Sequence, residues 1–145
     1  MKAIAIVLFS ILMLRGCDKD TIRDLNDAEI EYTATTRGFY RHVNAKGGTV
    51  KVWKDRARKE TPATYTLSNE QKKELLNAFN ELALDEIPTY KAPSERRFYD
   101  GAAIATLKIT YKGETYESQA FDHRNPPAEI ERVVSILEEY TEDNE

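Results

Sequence analysis

An alternating stretch that ends in a tight turn is the feature that most constrains the fold of this chain. Between residues 103 and 111, alanine, leucine, isoleucine and tyrosine at odd positions alternate with isoleucine, threonine and lysine at even ones. Such a period of two is typical of a strand with one buried face. Lys112 and Gly113 follow as a two-residue turn, so we predict a hairpin whose return strand begins near residue 114. This turn would pair Ile109 with Tyr116, Lys108 with Glu117, Thr110 with Thr115 and Leu107 with Ser118.

The first half of the chain carries further strand signals. Residues 28–35 alternate apolar and polar side chains, which predicts a strand in an antiparallel sheet with one wet face. We expect this strand to continue to residue 43, with Gly38 permitting a bulge. Gly47 and Gly48 then predict a turn. We expect a return strand over residues 49–54 and a short additional strand over residues 65–67.

Two helices are predicted, each after a group of strands. Ser68 and Gln71 have the spacing of a capping box, and this helix should end before Pro88. Pro127 suits the first turn of the second helix, which we expect to fray from about Thr141 because acidic side chains crowd its C-terminal end. The apolar stripes at helical spacing are Leu75, Leu76, Phe79 and Leu82 in the first helix, and Ile130, Val133, Val134, Leu137 and Tyr140 in the second.

This order of elements predicts an α+β fold. We expect a two-layer sandwich with a mainly antiparallel sheet of about four strands, in β-β-α-β-β-α order, and two helices on one face. A chain of 145 residues is about one domain long. We place that domain at residues 28–141 and expect residues 142–145 to form a frayed acidic tail.

The N-terminal segment predicts where the protein is delivered. Lys2 precedes an uncharged apolar run over residues 3–14, which fits a signal peptide and is too short to span a bilayer. Leu14, Gly16 and Cys17 then resemble the lipobox of bacterial lipoproteins, while Arg15 departs from it because a small or apolar residue is usual there. The resemblance implies cleavage after residue 16, a lipid on Cys17 and attachment to a bacterial membrane, on the periplasmic side or at the cell surface. The alternative is an ordinary signal peptide followed by an incidental cysteine.

The remaining chain divides into a tether and a domain. Residues 17–27 are polar and are expected to hold the domain off the lipid surface. The domain resembles a family of small bacterial envelope domains of unknown function, through Ser68 at the helix start, residues 84–88, the hairpin at 107–116 and the two prolines at 126 and 127. That resemblance implies a hairpin-helix-hairpin-helix architecture and no particular activity.

Composition and motifs exclude several classes of function. The single cysteine excludes a disulfide scaffold, and the net charge of −4 argues against general binding of nucleic acid. No nucleotide-binding loop, zinc-protease motif or nucleophile elbow is present, so we predict no cofactor and no metal. The catalytic candidates are Asp122 and His123, with Asp100 as a third group, and they would act as a general base or as metal ligands. Asp122 and His123 equally suit a structural role between the last strand and the last helix.

Two segments mix arginine with aromatic residues and are our candidate binding sites. Residues 37–42 form one, and residues 94–101 form the other, inside a 14-residue linker over 88–101 that is longer than a mere connector usually is. Guanidinium groups beside aromatic rings suit carboxylates, phosphates or sugars, although such rings can also simply cover the end of a sheet. The predicted binding residues are Arg37, Tyr40, Arg97, Phe98 and Tyr99.

The favoured hypothesis is a membrane-anchored, non-catalytic binding module of the cell envelope, with an envelope protein or a glycan as its partner. One alternative is a small metal-dependent hydrolase that uses Asp100, Asp122 and His123. The other is a structural or inhibitory protein whose partner adds a strand at an exposed sheet edge.

Overall fold

The computed structural model describes residues 22–142. The predicted signal peptide, Cys17, the beginning of the tether and residues 143–145 lie outside the described residues. In the part of the chain that is described, no helix has the length and apolar character needed to cross a membrane.

One antiparallel sheet of seven strands and two α-helices make up the described chain, and the α+β class is confirmed. The strands are β1 (Ala28–Thr36), β2 (Phe39–Lys46), β3 (Thr49–Trp53), β4 (Ala63–Thr66), β5 (Ile104–Tyr111), β6 (Glu114–Glu117) and β7 (Phe121–Asp122), and the helices are α1 (Asn69–Asn80) and α2 (Glu131–Glu142). The sheet order is β4-β3-β2-β1-β5-β6, and β7 also pairs with β5. Short 3-10 turns cover Leu25–Asp27, Leu84–Thr89, Arg96–Tyr99 and Ala128–Ile130.

The prediction of about four strands is wrong, chiefly because Gly38 forms a turn instead of a bulge. Gly38 has a φ of +81°, which glycine adopts without a steric penalty. The chain reverses there, so the long strand expected over residues 28–43 becomes two paired strands, β1 and β2. The short strands β4 and β7 add four and two residues to the sheet.

The C-terminal hairpin has the predicted register. Lys112 and Gly113 have φ values of 48° and 81°, the positive values that a type I′ turn requires. Ser118 donates its backbone N–H to the carbonyl oxygen of Leu107 at 2.8 Å, which extends the pairing. The strand partners are Lys108 with Glu117, Ile109 with Tyr116 and Thr110 with Thr115.

The start of α1 is confirmed, whereas the end of α2 differs from the prediction. Ser68 and Gln71 form the reciprocal capping box, with bonds of 2.9 and 3.2 Å between each side chain and the other residue's backbone N–H. Thr141 was expected to fray, yet it is buried and helical. Its hydroxyl accepts a hydrogen bond from the buried Arg41 guanidinium at 3.0 Å and donates to the Glu138 carbonyl oxygen at 2.6 Å. These bonds hold the last turn of α2 against the sheet.

One face of the sheet and both helices share a single hydrophobic core. Alternate residues of β1 are buried, and so are the apolar residues of α1 and α2. The largest fully buried side chains are Tyr32, Phe79, Phe121, Ile30, Leu75, Ile87, Leu107, Ile109, Ile130 and Leu137.

The end of the predicted tether packs against the domain. The Arg23 guanidinium donates to the Phe79 carbonyl oxygen at 2.5 Å and lies over the Phe79 ring. Leu25 packs against the core, and the Asp27 carbonyl oxygen accepts the backbone N–H of Lys112 at 3.3 Å. The folded unit therefore begins near residue 23, five residues earlier than the predicted boundary at residue 28.

Leu107→Ala is expected to lower the free energy of unfolding by about 2–5 kcal/mol, because Leu107 is fully buried and its loss leaves a cavity. Lys108→Ala on the opposite face should cost less than about 1 kcal/mol, because the Lys108 ammonium is 41% exposed where it pairs with Glu31. Denaturant melts of both variants test the assignment of the two faces. Equal losses in the free energy of unfolding for the two variants would contradict this assignment.

Candidate functional site

Asp122, at the end of β7, fastens the long loop between α1 and β5. Its carboxylate is 1% exposed and accepts the Ser94 hydroxyl at 2.5 Å, the backbone N–H groups of Arg96 and Arg97 at 2.8 and 3.0 Å, and the Arg97 guanidinium at 3.1 Å. Burial alone would raise the pKa of Asp122, but these hydrogen bonds outweigh it and lower the pKa to about 2. The group is therefore ionised near neutral pH, and both of its oxygens are engaged.

Arg97 does not have the exposed position that its sequence context predicted. Its guanidinium pairs with Asp122, donates to the Ser94 carbonyl oxygen at 2.7 Å and is only 10% exposed. The expectation that Arg97 faces a ligand is thus overturned, because the buried carboxylate of Asp122 takes up its charge.

Phe98 and Tyr99 are the exposed aromatic residues of this loop. Both are 71% exposed, which is unusual for large apolar side chains. The Arg97 guanidinium lies over the Phe98 ring. Tyr99 lies against Gly101, where a Cβ atom would approach the Tyr99 ring to 2.9 Å and the Arg96 carbonyl oxygen to 3.1 Å. Gly101 therefore permits the tight turn that places Tyr99 beside Arg96.

A groove of about 450 Å³ lies at the end of the sheet where β1 finishes and β5 begins. We call it the end groove. It joins the two segments that the sequence singled out, since the start of β2 forms one wall and the long loop forms the other. It is lined by Thr36, Phe39, Arg96, Gly101, Ala102, Ala103, His123 and Arg124.

Two arginines supply the charge of the end groove. Arg96 is exposed and, within residues 22–142, its guanidinium has no ion-pair partner. Arg124 pairs with Glu142 at 2.8 Å, but both side chains are more than half exposed, so this ion pair is weak. Among the described residues, no acidic side chain lines the groove.

His123 forms the polar floor of the groove together with the buried Tyr32 and the partly buried Glu138. Its Nδ1 lies 2.7 Å from the Tyr32 hydroxyl and 3.3 Å from a carboxylate oxygen of Glu138. The Tyr32 hydroxyl donates its one proton to Glu138 at 3.0 Å, so we assign the imidazole proton to Nδ1, where it is donated to the Tyr32 oxygen. Nε2 of His123 is left as a hydrogen-bond acceptor. The ring also packs against Phe39, with centroids 5.5 Å apart.

The charge state of this cluster follows from its burial. Burial and the nearby charges of Arg124 and Arg41 lower the pKa of His123 to about 4, so the imidazole is neutral at pH 7. Burial raises the pKa of Glu138, while its hydrogen bond from Tyr32 opposes that change. Burial and the charge of Glu138 raise the pKa of the Tyr32 hydroxyl, which therefore keeps its proton.

The free energy of unfolding should fall as the pH falls from about 6.5 to about 4. An unfolded histidine titrates near pH 6.5, whereas folded His123 does so near pH 4; the unfolded state therefore binds more protons in this window. Burial lowers the pKa of His42 as well, which adds to this loss of stability in acid. The raised pKa of Glu138 opposes it, because the folded state then binds more protons than the unfolded state. Between pH 7 and pH 4, the free energy of unfolding of His123→Gln should fall by about 2–3 kcal/mol less than that of the wild type. Denaturant melts at the two pH values measure this, and identical losses would contradict the buried, neutral state of His123.

The remaining predicted residues lie around the groove but do not all line it. Arg37 is exposed in the turn between β1 and β2. Tyr40 pairs with Thr35 and, because side chains alternate along β2, lies on the opposite face of the sheet from Phe39. Asp100 is an exposed residue with a left-handed backbone at the end of the Arg96–Tyr99 turn.

The three catalytic candidates do not form a common centre. Among the residues that the structure describes, the Asp100 carboxylate makes no hydrogen bond to Asp122 or His123, and Asp122 is occupied by the loop. The same part of the chain contains no group of three histidine, cysteine or acidic side chains that could hold a metal ion. The partners of His123 are instead Tyr32 and Glu138.

Sequence reasoning missed most of the groove. Phe39 lay in one of the two segments, but Arg96 was passed over for its neighbour Arg97, and Arg124 carried no signal beyond its charge. Tyr32 and Glu138 were read only as a core residue and a surface acid. Tyr32 lies 91 positions before His123 and 106 positions before Glu138. No local sequence pattern reveals contacts between residues so far apart.

Two other cavities are less suited to a ligand. One, of about 520 Å³, lies on the open face of the sheet, where Glu31, His42 and Lys108 already pair with one another. The other, of about 760 Å³, lies beside Arg23 and is lined by Glu81, Asp85 and Glu86. No known family model and no curated protein sequence matches this chain.

Proposed function

We propose that this chain is a lipid-anchored protein of the bacterial envelope whose domain binds an anionic ligand in the end groove without catalysing a reaction. The observation that carries the proposal is the placement of Arg96 and Arg124 in a groove that no acidic side chain of residues 22–142 lines. Guanidinium groups bind carboxylates and phosphates through paired N–H donors. The net charge of the whole chain is −4, so a cationic groove on it is a local feature.

The fixed position of the loop supports a binding role. Asp122 fastens the loop through four hydrogen bonds, two of them to the backbone of Arg96 and Arg97. Arg96 is therefore presented from a rigid wall, which lowers the entropic cost of binding.

The direction of β1 supports a ligand located away from the anchoring membrane. β1 begins at Ala28, just after the docked N-terminal segment, and the groove lies at the other end of this nine-residue strand, beside Thr36. At the usual rise per residue these points are about 27 Å apart. Only residues 18–22 separate Cys17 from the docked Arg23. A lipid on Cys17 would therefore keep Ala28, at the start of β1, close to the bilayer.

The alternatives receive less support. A metal-dependent hydrolase would need ligands that the described residues do not bring together. Strand addition would need a long open edge, whereas the outer strands of the described sheet are short: β4 and β6 have four residues each and β7 has two, lengths typical of edges protected from pairing.

The experiment is a titration of isotope-labelled full-length protein, in non-ionic detergent micelles, with acetate and with inorganic phosphate. Amide chemical shifts of Gly101 and His123 should move with ligand concentration in the wild type and should not move in an Arg96→Gln/Arg124→Gln double variant. Each arginine is expected to contribute about 1–3 kcal/mol of charge-assisted hydrogen bonding.

The matched control is Lys46→Gln/Lys51→Gln, which removes the same charge from the open face of the sheet. This variant should respond as the wild type does. Equal responses from all three proteins would show that the arginines of the groove do not bind the anion, and the proposal would then fail.

A further inference from the structure

We propose that the ligand of the end groove is an anionic saccharide, with its carboxylate on Arg96 and Arg124, one sugar ring on Tyr99 and a hydroxyl on Nε2 of His123. This inference rests on the proposed function and adds the chemical class of the ligand. Three features of the groove each select a different part of such a molecule.

The first feature is the pair of guanidinium groups. They come from two different segments of the lining, one from the Arg96–Tyr99 turn and one from the segment after β7. Two planar forks can share one carboxylate and fix its orientation. A neutral sugar would leave Arg96 without an opposite charge and Arg124 with only its exposed ion pair to Glu142.

The second feature is the exposed ring of Tyr99 at the edge of the groove. A large apolar side chain that is 71% exposed has surface available for a partner. Its position is set by contact with Gly101, a residue of the groove lining. The C–H bonds on one face of a sugar ring carry partial positive charge and pack well on the negative face of an aromatic ring.

The third feature is the acceptor at the floor of the groove. Because Nδ1 of His123 donates to Tyr32, whose proton goes to Glu138, Nε2 can offer only a lone pair. A simple carboxylate has no donor to place against it, and an unsatisfied acceptor weakens binding. A ligand with a hydroxyl beside its carboxylate satisfies Nε2 and the arginines together, and sugar acids have this arrangement.

The probes that test this inference are trigalacturonate, its methyl ester and cyclohexanecarboxylate, each titrated into the full-length protein in non-ionic micelles. The methyl ester removes the charge, and cyclohexanecarboxylate keeps the charge on a ring without hydroxyls. We expect trigalacturonate to bind at least tenfold more tightly than either of the other two, the difference that one well-made charged hydrogen bond provides.

Two exposed aromatic residues provide a matched pair of variants. Tyr99→Ser should weaken trigalacturonate binding about tenfold, whereas Phe98→Ser, at an equally exposed neighbouring position, should change it less than twofold. His123→Phe should weaken trigalacturonate binding and leave cyclohexanecarboxylate binding unchanged. If His123→Phe does not fold, the Tyr99 and Phe98 variants still decide the outcome.

The outcomes separate this inference from the proposed function. Equal affinity for trigalacturonate and cyclohexanecarboxylate would overturn the saccharide class and leave the anion-binding groove standing. Equal effects of Tyr99→Ser and Phe98→Ser would also overturn it, because the ring at the groove would then have no special role. Binding of neither acid would overturn this inference, and the proposed function would fail with it only if acetate and inorganic phosphate also did not bind.

Discussion

Cys17→Ser is expected to move the protein from the membrane fraction to the soluble fraction. The lipobox resemblance implies that Cys17 is the site of lipidation, and serine cannot form the thioether. Each acyl chain adds about 0.8 kcal/mol per buried methylene group, so several chains on one cysteine hold firmly where one is marginal. Within residues 22–142 no helix could replace that anchor. Fractionation of cells fed a labelled fatty acid measures both the location and the lipid.

Ser10→Ala is a suitable control, because it changes the apolar run without touching the lipobox. This variant should take up label and pellet with the membrane as the wild type does. The lipoprotein hypothesis is wrong if the wild type takes up no label and the Cys17→Ser variant still pellets. The sequence would then contain an ordinary signal peptide followed by an incidental cysteine.

Asp122→Asn is expected to lower the free energy of unfolding by about 3–5 kcal/mol. The substitution keeps the size of the side chain but leaves the buried Arg97 guanidinium without an opposite charge, which is the costly way to break a buried ion pair. It also puts an NH₂ group where one oxygen now accepts N–H or O–H donors. Asp100→Asn is the matched control, because this aspartate is exposed in the same loop and asparagine tolerates its left-handed backbone; it should cost less than about 0.5 kcal/mol. Denaturant melts of the two variants make the comparison.

The loss of stability in acid provides a second test of the role of the Asp122 carboxylate. The pKa of Asp122 is about 2 in the folded protein and near 3.9 in the unfolded chain. Its contribution to stability is therefore present above about pH 4 and is lost as the pH falls toward 2. Asp122→Asn should lack this part of the acid dependence. A variant that matches the wild type in both melts would mean that Asp122 does not fasten the loop.

The local elements of this fold could be predicted because each is encoded by neighbouring residues. The hairpin register follows from the alternation of residues 103–111 and from a turn at Lys112 and Gly113 that both adopt positive φ. The start of α1 follows from two side chains three positions apart, Ser68 and Gln71. Where a local signal had two solutions, prediction failed: Gly38 permits a bulge or a turn, and only the pairing of β1 with β2 selects the turn.

The candidate site could be located only in part. The sequence singled out the loop and the end of the sheet that border the end groove, because arginine and aromatic residues are concentrated in both segments. From the sequence we predicted Arg97, and not Arg96, as a binding residue, although the two neighbours are chemically identical. The choice between them depends on which one reaches Asp122, 25 positions later in the chain.

The sequence by itself determined the α+β class, the hairpin register and the helix start, because these depend on periodicity and on contacts only a few residues apart. The tertiary structure alone decided the number of strands, the burial of Thr141 and the polar floor of the groove. Tyr32, His123 and Glu138 come from β1, from the segment after β7 and from α2, and their pKa values depend on that shared burial. Burial and long-range pairing are properties of the packed chain, so the chemistry of this groove appears only when the sheet and α2 are assembled.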